Sequence, residues 1–215
     1  MKFVSAFSTG KDSMLALHRM VADGHTPTGL VVIYNSGAGR SWFHGVDRPA
    51  LEKIAAALEI PLYCYETDGH DYNETMERAL IQAKADGAEA CVFGDIDIEG
   101  HAQWNRDRCQ AAGLKALMPL WQENREALAR AVVEAGYSCV IKCLHPEQLP
   151  ESFLGRTLSP QVFSDMAAHG IDLCGENGEY HTVVLDGPLF KHKLRCTLGD
   201  ILKLEHVSAI EINIL

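Results

Sequence analysis

The chain has 215 residues, of which 47% are hydrophobic, so it can bury a full core and is not expected to be disordered. Its 19 basic and 29 acidic side chains give a net charge of −10, which argues against a broad nucleic-acid-binding surface or an anionic membrane surface as partner. Only Lys2 precedes the first apolar run, and no window is long enough to span a membrane. The 7 cysteines are scattered, with no Cys-x-x-Cys pair. Together these features predict a cytoplasmic protein without a membrane partner.

Short apolar runs alternate with amphipathic segments through the first 121 residues. The apolar runs predict strands over residues 3–7, 28–34, 61–66, 90–93 and 115–118. The segments with a helical period predict helices over residues 14–22, 47–58, 73–86 and 102–112. Residues 35–45 are rich in Gly and Ser and are predicted to form a loop. This alternation predicts an α/β fold with a doubly wound parallel sheet and right-handed crossovers.

The alternation ends after Trp121. A helix is predicted over residues 123–135, and another begins with Ser159 as N-cap and Pro160 at its first position. Strands are predicted over residues 138–144, 182–185, 193–197, 201–204 and 209–214. We therefore predict a first domain over residues 1–121 and a smaller mixed α+β domain over residues 122–215.

A polar turn, Ser-Thr-Gly-Lys-Asp-Ser at residues 8–13, connects the first predicted strand to the first helix. The free N–H groups and the dipole at a helix start favour an anion there. Gly10 lets the backbone approach a phosphate, Lys11 supplies a mobile charge, and the hydroxyls of Ser8 and Ser13 can donate hydrogen bonds. The turn therefore predicts a phosphate site, with a chance polar turn as the alternative.

The same turn departs from a Walker A motif but resembles another nucleotide loop. Walker A requires Gly-x4-Gly-Lys-[Ser/Thr], whereas Ser5 stands at its first Gly and Asp12 at its Ser/Thr. The turn resembles the PP-loop of the N-type ATP pyrophosphatases, written Ser-Gly-Gly-x-Asp-Ser, and departs from it at Thr9. The resemblance implies a loop that grips the β,γ-pyrophosphate of ATP while the α–β bond is broken. We expect Lys11 and Asp12 to lie on a solvent-facing turn.

A second motif, Gly-Glu-Asn-Gly-Glu-Tyr-His-Thr at residues 175–182, is dense in Gly and carboxylates. Its glycines suggest a backbone held close to a ligand. The carboxylates of Glu176 and Glu179, beside His181, could hold an ammonium ion, orient an amine or act as a general base. From composition alone, a charged surface turn before a strand is the alternative.

An ordered set of short segments extends over nearly the whole chain and resembles the diphthine–ammonia ligase family. The segments are residues 8–13, Phe43-His44, Gly94-Asp95-Ile96, Pro119-Leu120-Trp121, Leu154-Gly155-Arg156, residues 175–182 and Asp186-Gly187-Pro188. The family pattern of the second motif is closer to Gly-Glu-Gly-Gly-Glu-Tyr-Glu-Thr, so Asn177 replaces a Gly and His181 a Glu. These departures lie where substrate contact is expected. The identity of the substrate is therefore the family property that is least safely carried over to this chain.

The resemblance implies ATP-dependent amidation with AMP as product. A carboxylate attacks the α-phosphate of ATP to give an acyl-adenylate and pyrophosphate, and ammonia then displaces AMP. This chemistry needs in-line positioning and neutralisation of the phosphate charge. The expected partners are ATP, ammonium and a carboxylate acceptor, either a small molecule or a protein; a homo-oligomer is compatible with the sequence.

Functional roles follow from the two motifs and the resemblance. Catalytic roles are expected for Lys11, Glu176, Glu179 and His181, and nucleotide binding for Ser8, Thr9, Gly10, Lys11, Asp12, Ser13, His44, Gly94 and Asp95. Mg²⁺ is implied as a cofactor, with Asp12 as its first and Asp95 as its second candidate ligand. We expect the residues of the second motif to face the PP-loop across a cleft between the domains.

Two other functions remain open at this stage. A PP-loop enzyme that thiolates tRNA would need a cysteine pair near the loop and a basic surface, which the scattered cysteines and the charge of −10 disfavour. A nucleotide-binding or regulatory module, with slow hydrolysis at the α-phosphate, is the other alternative. His44 could also be a hydrogen-bonded loop histidine, and Trp42, Trp104 and Trp121 could stack on adenine or simply pack in the core.

Overall fold

The computed structural model describes residues 1–42, 44–204 and 206–215; Phe43, part of one family segment, lies outside the described residues. The first half contains the strands β1 (Lys2–Ala6), β2 (Thr26–Asn35), β3 (Arg40–Ser41), β4 (Leu62–Thr67), β5 (Ala90–Val92) and β6 (Lys115–Leu117). The helices that alternate with these strands are α1 (Lys11–Ala22), α2 (Arg48–Leu58), α3 (Tyr72–Ala85) and α4 (Glu99–Ala112).

The strands of the first half form one largely parallel sheet. Five of them pair in parallel, in the spatial order β4-β2-β1-β5-β6. The prediction of a doubly wound parallel sheet is confirmed. The prediction of a plain loop over residues 35–45 is wrong, because Arg40 and Ser41 pair antiparallel with the end of β2. A strand of two residues has no periodicity from which it could be predicted.

The order of the strands places a switch point between β1 and β5. The chain winds outward from β1 to β2 and β4 on one side, and from β5 to β6 on the other. In open parallel sheets the crevice at such a switch point, at the carboxyl ends of the strands, is the usual ligand site. The turn after β1 is the PP-loop, and the turn after β5 carries Gly94 and Asp95.

The second half forms an antiparallel sheet with two helices. Its elements are α5 (Arg125–Glu134), β7 (Ser138–Leu144), α6 (Pro160–Ala167), β8 (Tyr180–Asp186), β9 (Cys196–Lys203) and β10 (Ser208–Ile214), with a 3-10 turn at Glu151–Phe153. The strand order is β8-β7-β10-β9. The two strands predicted over residues 193–197 and 201–204 are one strand, β9, with an irregular pairing to β10. All strands of the parallel sheet precede residue 121 in the sequence, and all strands of the antiparallel sheet follow residue 122. The exact domain boundary stays a prediction.

A shared core joins the two halves. Met14 and Leu17 of α1 belong to the same buried cluster as Leu128 of α5 and Val184 of β8. A separate cluster on the other face of the parallel sheet includes Leu80 of α3. Among the described residues, no helix combines the length and apolar character needed to cross a bilayer.

Side-chain caps are present at the starts of α2, α5 and α6 and absent from the starts of α1, α3 and α4. Asp47 accepts a hydrogen bond from the Ala50 N–H at 2.8 Å, and Ser159, the predicted N-cap of α6, accepts one from Val162 at 3.2 Å. Such caps contribute ~1 kcal/mol each. The N-cap of α1 is Gly10, which has no side chain to cap the helix. Among the uncapped helices, α1 is the one that begins directly after β1 at the switch point of the sheet, so we compare its start with an anion-binding site.

Gly94 provides a test of how closely the turn after β5 packs on the start of α1. A Cβ atom at residue 94 would lie 2.7 Å from the Ser13 backbone nitrogen, which cannot move aside. We expect Gly94→Ala to lower the free energy of unfolding by ~1–3 kcal/mol through overpacking. Gly100→Ala is the control, because a Cβ there meets nothing within 4 Å. Urea unfolding measures both variants, and equal stabilities of the two would contradict the close approach.

Candidate active site

The PP-loop is held from behind by strand β8. The Thr9 carbonyl accepts a hydrogen bond from the Val184 N–H at 2.9 Å, and the Lys11 N–H donates to the Thr182 hydroxyl at 3.0 Å. Thr9 is fully buried with φ at 71°, a left-handed conformation that suits the Gly of the PP-loop pattern. The predicted contact of Thr9 with nucleotide is not supported, because its side chain does not line the cavity at the loop.

Lys11 is buried between the two halves of the chain. Its side chain is only 4% exposed, and its ammonium donates to Asp12 Oδ2 at 2.7 Å and to the Cys174 carbonyl. Burial by itself lowers the pKa of this ammonium, but the Asp12 carboxylate and further neighbours raise the pKa well above its usual value. Lys11 is therefore permanently charged. The expectation of a solvent-facing turn is wrong for Lys11, because α1 begins at this residue and the second motif covers it.

Glu176 lies at the PP-loop, as predicted. One ligand atom from each of Asp12, Cys174 and Glu176 lies within 4.8 Å of the others. Burial, followed by the negative charge of Asp12, raises the pKa of Glu176 to about 7. A carboxyl group with that pKa can exchange a proton near neutral pH, which is the property required of a general base.

Glu179 does not face the loop, and this part of the prediction is wrong. Its carboxylate accepts hydrogen bonds from the Asp172 N–H at 3.1 Å, the Asn177 N–H at 3.0 Å and the Asn177 amide at 3.1 Å. The side chain is 4% exposed and is not part of the cavity wall. These hydrogen bonds hold the carboxylate on the turn itself, so Glu179 stabilises the turn that presents Glu176.

Two neutral histidines flank the loop on its other side. The rings of His44 and His181 lie 4.8 Å apart, and His44 Nδ1 lies 2.8 Å from the Thr182 carbonyl. Burial lowers the pKa of His44 to about 4 and that of His181 to about 3, so both are uncharged at neutral pH. The His44 ring also covers Gly10, where a Cβ would lie 2.4 Å from its Cε1 atom. Gly10 therefore makes room for His44 and does not itself line the cavity.

The remaining predicted residues meet at the carboxyl edge of the sheet. Ser8 donates to Ser13 at 3.1 Å, and both hydroxyls lie at the cavity. Asp95 lies 3.3 Å from His101 Nδ1 and accepts from the Asn105 amide at 2.7 Å. Gly94 packs on the start of α1, as the close approach to Ser13 shows. The prediction that the turns after β1 and β5 meet is confirmed.

Two cavities open at this edge and share part of their walls. One, of about 350 Å³, is the more polar of the two; it is called the polar cavity and is lined by Lys11, Asp12 and Glu176 among others. The other, of about 340 Å³, is largely apolar and is lined by Trp42, Tyr72, Met76, Trp104 and residues of β1 and β2. Their common wall consists of Ala6, Ser8, Phe93, Asp95 and His101. The two cavities are therefore neighbouring parts of one site.

The apolar cavity has an aromatic wall formed by Trp42, Tyr72 and Trp104, most of which the sequence did not predict. Trp42 and Tyr72 lie edge to face with centroids 5.9 Å apart, and Tyr72 and Trp104 are also 5.9 Å apart. The tryptophans were considered as adenine-stacking groups, but packing was the favoured interpretation. These residues come from the turn after β3, from α3 and from α4, so only the fold brings them together.

The structure places the start of α1, which has no side-chain cap, between two cavities at the carboxyl edge of a doubly wound sheet, where such sheets bind ligands. The diphthamide synthase N-terminal domain matches residues 1–116, and the diphthamide synthase C-terminal domain matches residues 124–212. The chain therefore belongs to the diphthamide synthase family, and the family predicted from the ordered motifs is confirmed.

Curated relatives carry the same family's names. Diphthine–ammonia ligase from Rattus norvegicus is 27% identical over 223 residues, covering 90% of this chain and 82% of the relative. The human enzyme of that name is 25% identical over 219 residues with the same coverage, and the Schizosaccharomyces pombe one is 25% identical over 97% of this chain and 38% of its own length. A solved Methanocaldococcus jannaschii structure titled "predicted subunit of tRNA methyltransferase" aligns with a TM-score of 0.48 and 14% identity, covering 90% of this chain and 99% of that one. That likeness is too distant to bear on function.

Thr9 allows a test of the strained loop. Its hydroxyl is buried without a hydrogen-bond partner among the described residues, and its φ is 71°. We expect Thr9→Gly to raise the free energy of unfolding by ~1 kcal/mol, because relief of a left-handed conformation exceeds the loss of a buried methyl. Thr9→Ala should gain less, since a Cβ remains. Urea unfolding measures the free energy of unfolding of the three proteins. A Thr9→Gly protein that is less stable than the parent would contradict strain at this residue.

Glu176 gives a prediction for stability against pH. A carboxyl group whose folded pKa is raised to about 7 binds protons more strongly in the folded state than in the unfolded one. Its contribution to stability is therefore present at low pH and is lost as pH rises from the unfolded value toward 7. As pH rises through that range, the free energy of unfolding of Glu176→Gln should increase relative to that of the parent. Urea unfolding in EDTA without nucleotide measures both proteins. A parallel pH dependence for the two proteins would contradict the raised pKa.

Proposed function

We propose that the protein activates a carboxylate with ATP, releasing pyrophosphate, and then transfers ammonia to the acyl-adenylate to form an amide and AMP. The predicted enzyme class, an ATP-dependent ligase, agrees with the family match. The observation that carries the proposal is the position of Glu176 beside Lys11 and Asp12, at the point where the polar cavity meets the start of α1. The activation of the carboxylate and the transfer of ammonia then take place in the same cavity, next to the start of α1.

The apolar cavity suits the adenine of ATP. An aromatic wall stacks favourably on a purine, and Tyr72 lies between Trp42 and Trp104 in that wall. Trp42 Nε1 is buried and has no hydrogen-bond partner among the described residues, so it is available to donate to a ring nitrogen. The shared wall beside Ser8 then leads from the base to the PP-loop.

The polar cavity suits the triphosphate and the acceptor. The permanently charged Lys11 and the hydroxyls of Ser8 and Ser13 lie there, at a helix start that favours anions. These groups can neutralise the charge that develops between the α- and β-phosphates, and they can hold the acceptor carboxylate in line. The segment over residues 172–178 covers this place and limits the access of water to the reactive acyl-adenylate.

Glu176 is the proposed base for the second step. Ammonia must lose a proton as the amide bond forms, and a carboxylate with a pKa near 7 can accept it at neutral pH. His181 and His44 are uncharged and line the same wall, so they can donate or accept a hydrogen bond to the acceptor without adding charge. His181 stands where the family pattern has a Glu, which supports an acceptor that differs from that of the typical member.

The residues at the loop also fit Mg²⁺. Carboxylate oxygens are its preferred protein ligands, and the Asp12 carboxylate lies at the loop beside Lys11. The Cys174 thiol is not such a ligand; burial raises its pKa, so it stays protonated and lies 3.7 Å from Asp12 Oδ1. When bound, Mg²⁺ would neutralise phosphate charge. Asp12 is the better of the two predicted ligands, because it lies at the start of α1, whereas Asp95 lies on the wall that the two cavities share.

The alternative of tRNA thiolation gains no support from the site. Cys174 is the cysteine that lies at the loop, but its raised pKa makes it a poor nucleophile. Cys139 is fully buried, and burial raises its pKa to about 12. Neither thiol offers the reactive sulfur that thiolation requires.

Product analysis tests the proposal. The protein is incubated with ATP, MgCl₂, ammonium chloride and a metabolite extract, and nucleotides are separated by chromatography. We expect AMP and pyrophosphate, with a rate that falls by ~10²-fold in Lys11→Met, because the fixed positive charge at the phosphates is lost. Lys191→Met removes an exposed lysine and serves as the matched control. ADP and phosphate as products would contradict the assignment.

Glu176→Gln separates the two steps of the proposed reaction. It should retain the ATP KM within ~3-fold and lower ammonia-dependent product formation by ~10²-fold, as expected for the loss of a general base. Full amide formation by this variant would remove Glu176 from the mechanism.

A further inference from the structure

Arg125 connects the two halves of the chain at the edge of the site. Its Nε and Nη2 atoms each donate to Asp97 at 2.7 Å, in a bidentate pair with both carboxylate oxygens. Its Nη1 atom donates to Asp172 at 2.8 Å and to the Asn177 amide oxygen at 3.2 Å. Asp97 belongs to the turn after β5, whereas Asp172 and Asn177 belong to the segment that covers Lys11. One side chain therefore joins the sheet edge to the second motif.

The position of Arg125 is unfavourable by local rules. It is the first residue of α5, where the helix dipole repels a positive charge. The sequence predicts a helix over residues 123–135 and gives no role to Arg125. A cation in this position is explained by its tertiary partners, because the carboxylates of Asp97 and Asp172 compensate for the dipole.

The Arg125 contacts continue into the active site. Asp172 uses Oδ1 to accept the Cys174 N–H at 2.9 Å and Oδ2 to accept the Glu176 N–H at 3.3 Å. The backbone that Asp172 holds is the one that places the Cys174 carbonyl on the Lys11 ammonium. Arg125 lines neither cavity, so it does not contact a ligand there; its charge lowers the pKa of Glu176 from a distance, and its hydrogen bonds position other groups.

We propose that Arg125 is a positioning residue of the active site, which holds residues 172–178 closed over the PP-loop by bridging Asp97 and Asp172. When this bridge is absent, the segment opens, Lys11 loses its carbonyl partner and Glu176 moves away from Asp12. The kinetic consequence rests on the proposed function; the closure of the segment does not.

Alkylation of Cys174 by N-ethylmaleimide measures the closure directly. Cys174 belongs to the segment itself and is 1% exposed in the closed state, so labelling in the parent requires local opening. We expect Cys174 to be labelled at least ~10-fold faster in Arg125→Ala than in the parent, because the segment then opens more often. Peptide mass spectrometry measures the rate at each cysteine. Cys91 and Cys109, in the cluster on the other face of the sheet, should label as slowly as in the parent.

Matched variants keep this test interpretable. Arg130→Ala removes another arginine of α5, whose partner is the exposed Glu126, and should label like the parent. Arg125→Lys cannot bridge two carboxylates in the same fork geometry and should resemble Arg125→Ala. Asp97→Asn should open the segment as well, and adding it to Arg125→Ala should have no further effect, because both act on one bridge. Unchanged labelling at Cys174, or equal acceleration at Cys91, would overturn the proposal.

Steady-state kinetics of the same variants test the consequence for the reaction. With ATP, MgCl₂, ammonium chloride and the extract, Arg125→Ala should lower kcat for AMP formation by ~10-fold and leave the ATP KM within ~3-fold, because the adenine cavity is untouched. A raised KM with unchanged kcat would overturn the positioning role. If the parent itself forms no AMP, the proposed function fails, while the labelling experiment still decides whether Arg125 holds the segment.

Discussion

The buried ammonium of Lys11 is the constraint on which the arrangement of the two halves depends. A charge that is 4% exposed must be compensated by fixed partners, and it has two, the Asp12 carboxylate and the Cys174 carbonyl. The first comes from the same helix turn and the second from the other half of the chain. The nucleotide loop is therefore complete only when the second half is docked on the first.

Strand β8 is the element that makes this docking possible. It satisfies the backbone of the PP-loop through Thr182 and Val184, and the residues just before it form the cover over Lys11. The hydrophobic core also joins the two halves, because α1 packs between the parallel sheet and the antiparallel one. Covering the site with a separate segment is useful for a reactive acyl intermediate, since closure excludes water without rearranging the sheet.

Strain and charge are concentrated at this junction. Thr9 takes a left-handed conformation, two histidines are held neutral by burial, and the pKa of Glu176 is raised to about 7. Each of these is unfavourable on its own, and each lies in or next to the loop. Such departures from local preference gather at functional sites, where the surrounding structure enforces them. Arg125, a cation at a helix start, is a further example at the rim.

The sequence by itself determined the alternation of strands and helices, the loop between β1 and α1, and the second motif, because these depend on periodicity and on residues adjacent in the chain. It also placed Lys11, Asp12 and Glu176 correctly at one site. Only the tertiary structure decided that Lys11 is buried, that Glu179 faces the turn and not the loop, and that Trp42, Tyr72 and Trp104 share a wall. The burial of Lys11 depends on Cys174, at a separation of 163, and the aromatic wall depends on three separate elements. The direction of Glu179 depends on the conformation of its own turn, and no periodic pattern encodes any of these.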